Sequence, residues 1–247
     1  MAEIKKIKVG GTTYDIADGA LRDAMLEGLP NIVVSITASP TSVECGTSKE
    51  VTYTASATYN GSVVNSGITF TIDGQTATAN ADGKATYKKS ISSSQTGTHG
   101  GSVSVTAVGT YKSTYAGIPF ERTASKAVSV TFLKRSYFGM LPGTTIATSD
   151  LDTFITNDGT TAKTLLASAN TLKSASSSYT VNTGANGGYL WFCFPAEISI
   201  TSVTGADGNV WECANAVQIT DSKGSTYNCL RLNKQQSANQ TLTFKFK

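Results

Sequence analysis

The 247-residue sequence has one histidine, His99, so the most frequent general base and metal ligand can act in only one place. That histidine lies in the loop-like stretch Gln95, Thr96, Gly97, Thr98, His99, Gly100, Gly101, with no nucleophile motif beside it. A catalytic triad there would need distant partners that nothing indicates. Cysteine is scarce too. Cys45, Cys193, Cys213 and Cys229 include no close pair, which argues against structural zinc. Charged side chains make up only 15 % of the chain. Its 20 basic and 17 acidic residues leave +3, and only Lys5, Lys6 and Lys8 cluster, so a nucleic-acid partner is not expected. No apolar run approaches the ~18 residues of a membrane span, and the opening Met1 to Lys6 lacks the apolar stretch of a signal peptide. Membrane insertion is therefore not expected, and the chain should be made in a cytoplasm. The glycine pairs Gly10 and Gly11, Gly100 and Gly101, and Gly187 and Gly188 have no phosphate-loop context and read as turns. No internal repeat of β-helical type appears. These absences together predict no cofactor, no metal and no enzyme.

Glycine, serine, threonine and asparagine are plentiful instead, and that composition predicts an all-β fold of short strands and many turns. The length suits two ordinary domains behind a short leading segment. Residues 1–30 stand apart. Ile4, Ile7 and Val9, then Gly10 and Gly11, then Thr12 to Ile16, read as a hairpin. From Asp18, a plausible N-cap, Ala20, Leu21, Ala24 and Met25 form an apolar helical stripe that stops at Gly28 and Pro30. A lone hairpin and a ten-residue helix are both marginal in water. The segment therefore reads as an anchor or oligomerisation element, with Ile7, Val9, Tyr14, Ile16, Leu21 and Met25 as interface candidates.

Residues 31–133 show β-runs at 32–36, 51–55, 68–72, 85–87, 101–108 and 127–132, separated by Asn60-Gly61, Asp73-Gly74 and Asp82-Gly83 turns; six or seven such strands predict a sandwich. The run from Val34 through Ser39, Pro40 and Cys45 to Gly46, followed by Val51 to Ala55, resembles the opening of bacterial and phage immunoglobulin-like modules. In those modules an edge strand bends at a Ser-Pro and a second strand follows a glycine. With one cysteine and no tryptophan here, the likeness is to the disulfide-free type. Residues 134–247 read as a second antiparallel β-domain. A short helix is expected near Ser149 to Phe154, capped by Ser149, and strands at 178–181, 188–194, 198–203, 217–220, 225–232 and 242–246.

The stretch from Ile7 to Asp18, followed by Arg22, is similar to the opening of many fibre and other virion proteins of tailed bacteriophages, gut phages especially. Tyr137 to Gly139 and Tyr189 to Pro195 look like a domain recurring in the same class. The resemblance implies a virion surface component, a head or tail fibre or capsid decoration protein, made in the host cytoplasm and located on the particle. It further implies a homotrimer attached to other capsid or tail proteins through residues 1–30. A carbohydrate-binding adhesin that recognises host-surface glycans is the alternative function.

In the strand at 188–194, Tyr189, Trp191 and Cys193 share one face and Leu190, Phe192 and Phe194 the other, so both faces are apolar and the strand should be central. Cys193 then reads as a small buried hydrophobe, and a Cys213–Cys229 bridge stays open. Trp191 and Trp211 are candidates for stacking on a sugar ring, and Tyr53, Tyr59, Tyr111 and Tyr115 for an adhesive surface. Asp150, Asp152 and Glu212 are the carboxylates available to an acid–base pair. The turns at 207–209 and 221–224 lack calcium-loop spacing and read as hairpin turns.

Overall fold

The computed structural model describes residues 6–9, 11–15, 19–95, 97–156, 162–165, 176–181, 188–236 and 240–246. The fold is all-β, with 60 % of residues in strands against 7 % in helices. In chain order the first elements are β1 (Lys6–Val9), β2 (Thr12–Asp15), α1 (Gly19–Glu27), β3 (Ile32–Ser39), β4 (Ser42–Glu44), β5 (Ser48–Tyr59) and β6 (Ser62–Val63). Next come β7 (Ile68–Ile72), β8 (Gln75–Thr78), β9 (Lys84–Ser92), β10 (Ser102–Tyr115), β11 (Ile118–Leu133), β12 (Ser136–Leu141) and α2 (Thr148–Thr156). The last are β13 (Ala162–Leu165), β14 (Ser176–Val181), β15 (Gly188–Pro195), β16 (Ile200–Gly205), β17 (Val217–Thr220), β18 (Thr226–Gln236) and β19 (Gln240–Phe246). Two compact units emerge. The first comprises Met1–Thr41, Glu50–Ser90 and Val103–Val130, and the second Ser42–Lys49, Ile91–Ser102 and Thr131–Lys247.

The first unit opens with the expected hairpin. Val9 pairs with Thr12, and Gly11 takes the positive φ that so tight a reversal needs. Ile16 and the proposed cap Asp18 lie outside the described residues, as do the side chains of Ile7, Val9, Tyr14 and Leu21. Of the apolar stripe on α1, Ala24 is exposed and Met25 half-buried. The helix C-terminus is held by Arg122 of β11, whose guanidinium donates to the carbonyls of Leu26 and Leu29 and lies 5.6 Å from the centre of the Phe120 ring. A cation at that end complements the exposed carbonyls of the last turn.

The sandwich has β3 and β9 flanking β5 in one sheet, with the short β6 pairing the end of β5, and the order β4-β11-β10-β7-β8 in the other. Burial alternates along β3, with Ile32, Val34, Ile36 and Ala38 inward. The facing sheets come close at Gly109, where a β-carbon would lie 2.8 Å from Val34 Cγ2, tighter than side chains tolerate. Asn60 with Gly61 and Asp73 with Gly74 adopt the paired positive φ of tight hairpin turns, as their types demand. A third such turn, Ala116 with Gly117, uses an ordinary side chain at φ +50°. It starts β11 at Ile118, nine residues before the expected strand. The stretch between is mostly solvent-facing, so its sequence shows little of the apolar pattern that marks a strand.

In the second unit the sheet order is β13-β12-β15-β18-β17, which makes β15 central, and β14-β19-β16 forms a separate sheet. Both faces of β15 are buried. Leu190, Phe192 and Phe194 join Phe138, Val203, Leu230 and Leu232 on one side. Trp191 and Cys193 join Tyr137, Leu151, Phe154, Tyr227 and Cys229 on the other. The helix α2 packs on the latter face, its Phe154 ring filling the space over Gly139 where a side chain would have stood. The expected cap at Ser149 is displaced by the chain itself. The helix begins at Thr148, Asp150 Oδ2 accepts from the Ala147 amide at 2.8 Å, and Ser149 instead accepts from Thr153 Oγ1 through its carbonyl. A carboxylate three residues into a helix can reach back to the capping amide, and here it does so without a capping hydroxyl.

Candidate functional site

The strand β16 ends at Gly205, and residues 205–209 form a tight reversal. Gly208 has φ +78°, its amide donates to the Gly205 carbonyl, and the Gly205 amide donates to that of Asn209. Asp207 stabilises the turn, its carboxylate accepting from the Asn209 amide at 3.1 Å and from the Asn209 side chain at 2.7 Å. These hydrogen bonds hold the Asp207 carboxyl below the usual carboxylate range, so it stays ionised in neutral and mildly acidic solution.

After the reversal, residues 210–214 run between β16 and β18 and are bonded to both. The Trp211 amide donates to the Val203 carbonyl at 2.8 Å. On the other side the Asn233 amide donates to the Glu212 carbonyl, and the Ala214 amide to that of Arg231. Trp211 is thus set on a segment fixed from both edges. Its indole lies against Gly205, where a β-carbon would overlap Nε1. The half-buried Trp211 is part of the lining of two clefts of about 490 and 470 Å³, each within the size range of small-molecule sites. One is floored by Phe194, Ile198, Val203 and Leu230. The other is rimmed by Asp207, Asn209, Glu212 and Lys234. Val210, 71 % exposed, lines both beside the indole.

Trp191 does not belong to this site. At 3 % exposure it is packed inside the second unit, with no ring face left for a sugar, which corrects the sequence reading that paired it with Trp211 as a glycan contact. The tyrosine surface fails for the same reason. Tyr53 is fully buried, and Tyr59 and Tyr111 are half-buried, 5.3 Å apart between ring centres and packed on Phe120 at 5.8 and 5.9 Å, leaving Tyr115 as the exposed one of the four.

His99 is buried as well. Its Nδ1 accepts from the Lys134 amide at 2.9 Å, while its own amide donates to Glu197 Oε1, which also lies 3.5 Å from the buried ammonium of Lys134. These contacts tie segment 91–102 to residues 131–247 within one unit. The carboxylates read as possible acids and bases also have structural partners. Asp150 caps α2 and Asp152 accepts from the Ser222 amide, whereas Glu212 lies at the Trp211 cleft. The 221–224 turn is a hairpin turn organised by Asp221, whose Oδ1 accepts from the amides of Lys223 and Ser225.

All four cysteines are free thiols. Cys229 stands opposite Cys193 across β15 and β18, so it is Cys193 and not Cys213 that faces it. Cys213 is half-buried at the first cleft, and burial pushes its thiol up to about 11. Among the described residues no group of three or more histidine, cysteine, aspartate or glutamate side chains is placed to hold a metal ion.

Comparison with family models, with curated proteins and with solved structures returned no match.

The cleft was half legible in sequence. Trp211 stands out as one of two tryptophans, and the double-faced apolar run around Trp191 marks that other one for a central strand. The place of Trp211 at a cleft comes from backbone pairing with Val203, Arg231 and Asn233, up to 22 positions away. The Asp207 to Asn209 turn was readable as a turn, not as a rim.

Proposed function

We propose that this chain is a non-enzymatic surface protein of a tailed-bacteriophage virion, a head or tail fibre or decoration protein, attached to the particle through residues 1–30. The observation that carries the reading is the leading segment. It consists of a hairpin of two four-residue strands and a nine-residue helix, elements too short to be stable without a surface to cover them. One end of that helix is already tied to the sandwich through Arg122. The resemblance of residues 7–18 to virion proteins supplies the class of partner, and a homotrimer supplies the simplest covering surface.

The first sandwich we propose to be immunoglobulin-like. β3 pairs antiparallel with β5, the chain turns at Ser39 and Pro40, and β4 then pairs in parallel with the end of β11 in the other sheet. That change of sheet by the first strand supports the likeness of the Ser-Pro opening to such modules.

Light scattering on the full chain and on a Leu21→Asp/Met25→Asp double variant tests the assembly role. A trimer that falls to a monomer, with the sandwich melting unchanged, is the expected result. A variant that stays trimeric removes residues 1–30 from the interface.

A second reading, a carbohydrate-binding adhesin, is favoured by one observation, the Trp211 cleft with its polar rim.

A further inference from the structure

The Trp211 clefts combine three things. An aromatic ring stands on a segment bonded through its main chain to β16 and β18, and is seated against Gly205 and the core cluster of Phe194, Val203 and Leu230. An exposed apolar neighbour, Val210, widens its surface. A rim of hydrogen-bonding groups, Asp207, Asn209, Glu212 and Lys234, stands around it. The ligand such a site fits has a flat apolar face ringed by hydroxyl groups. An aromatic face takes the C–H face of a pyranose, and carboxylates and amides accept or donate to its equatorial hydroxyls. Preorganisation strengthens the case, because a ring already held in place loses little freedom when it binds.

The charge of the rim narrows the class. Two carboxylates, Asp207 and Glu212, face one ammonium, Lys234, so a sugar carrying its own carboxylate or sulfate meets net like charge. The same balance disfavours a nucleic-acid backbone. We propose that Trp211 is the stacking platform of a binding site for neutral hexose or N-acetylhexosamine units, with Asp207, Asn209 and Glu212 reading the hydroxyls. Anionic sugars are rejected. This inference rests on the adhesin reading and names its site.

Gly205 is the positioning residue. A side chain there would overlap the indole nitrogen and push the ring out of its seat.

The experiment is a glycan array probed with the full chain, carrying neutral oligosaccharides of glucose, galactose, N-acetylglucosamine and N-acetylgalactosamine beside sialylated and uronate-containing ones. Variants are Trp211→Ala, Trp211→Phe and Glu212→Gln, with Trp191→Phe as a control that changes the other indole, and thermal melting checks that each folds. Expected are signals from neutral glycans only, lost by at least about tenfold in Trp211→Ala, largely kept in Trp211→Phe and Trp191→Phe, and reduced in Glu212→Gln. Should Trp211→Ala fail to fold, the exposed Glu212→Gln carries the test, since it removes a rim charge without touching the core. Glycan binding that survives both Trp211→Ala and Glu212→Gln, or that favours anionic sugars, overturns this site while leaving an adhesin standing. A blank array overturns the site and the adhesin reading together.

Discussion

β3 of the sandwich and β15 of the second unit are both eight residues long, but they bury their side chains differently. Along β3 every second residue is exposed, Val33, Ser35, Thr37 and Ser39 facing out. Along β15 every residue from Leu190 to Pro195 is buried. The difference lies in what covers each sheet. β3 has a facing sheet on one side and solvent on the other, whereas β15 has an aromatic core above and below, one of them roofed in part by α2. A strand covered once must alternate, and a strand covered twice must be apolar throughout. The second sheet therefore depends on a few large rings, each contributing roughly 1.5–3 kcal/mol by burial, where the sandwich spreads its core over many smaller residues.

The largest expected effect breaks the comparison outright. Ser35→Lys on β3 should leave stability within about 0.5 kcal/mol, as exposed positions do. Trp191→Lys on β15 should prevent the second unit from folding, because an unpaired ammonium would be buried among aromatic rings. Near-ultraviolet circular dichroism of the two variants checks this, with loss of aromatic signal expected from the second alone. Next comes Phe192→Ala, expected to cost about 3–5 kcal/mol in urea denaturation of the second unit. A cost below about 1 kcal/mol would mean that the face carrying Phe138 and Leu230 is not a packed core.

Gly139→Ala probes how α2 sits over the same strand layer. The added methyl would overlap the Phe154 ring, and overpacking of this kind typically costs about 1–3 kcal/mol. Phe154→Leu in the Gly139→Ala background should restore part of the loss, since the smaller side chain leaves room. If the double variant is no more stable than Gly139→Ala, the helix is not seated on that glycine.

What the sequence made legible follows the same division. The alternation of Ile32, Val34 and Ile36 and the double-faced run from Tyr189 to Phe194 both predicted their strands, because each pattern is local to the strand that shows it. Tight turns at Asn60-Gly61 and Asp73-Gly74 were readable because those residue types accept positive φ. Ala116 carries no such signal, and the first nine residues of β11 that follow its turn are mostly solvent-facing and show little apolar pattern. The site followed suit. Trp191 belongs to the double-faced run and is buried by the neighbours of β15 as that run predicts, whereas the pairing of 210–214 with β16 and β18, which puts Trp211 at a cleft, has no local pattern.

Thiol chemistry sharpens the contrast between covered and uncovered ground. Cys193 and Cys229 lie fully buried in the central sheet, and burial raises the Cys193 thiol well above its ordinary value. Cys213 is half-buried beside the cleft, with its thiol pushed up to about 11. The thiolate is the reactive form, so a raised value means slow alkylation at neutral pH. Iodoacetamide should therefore modify Cys213 first in the native chain, at a rate climbing about tenfold per pH unit until pH approaches 11. Cys193 and Cys229 should react only after unfolding. Early modification of Cys193, seen by peptide mass mapping, would show that β15 is open on one side.

The smallest effect concerns the sandwich core. Tyr53 is fully buried on β5, stacked against Tyr87 at 6.3 Å between ring centres, and among the described residues its hydroxyl has no hydrogen-bond partner. A buried hydroxyl left unpaired loses its water without compensation, while the ring keeps its full contribution to packing. Tyr53→Phe removes the cost and retains the ring. Thermal unfolding should show the variant equal to the parent or more stable by up to about 1 kcal/mol. A loss beyond that would mean the hydroxyl is bonded in solution, and the sandwich core would then contain a polar contact that the burial pattern of β5 does not suggest.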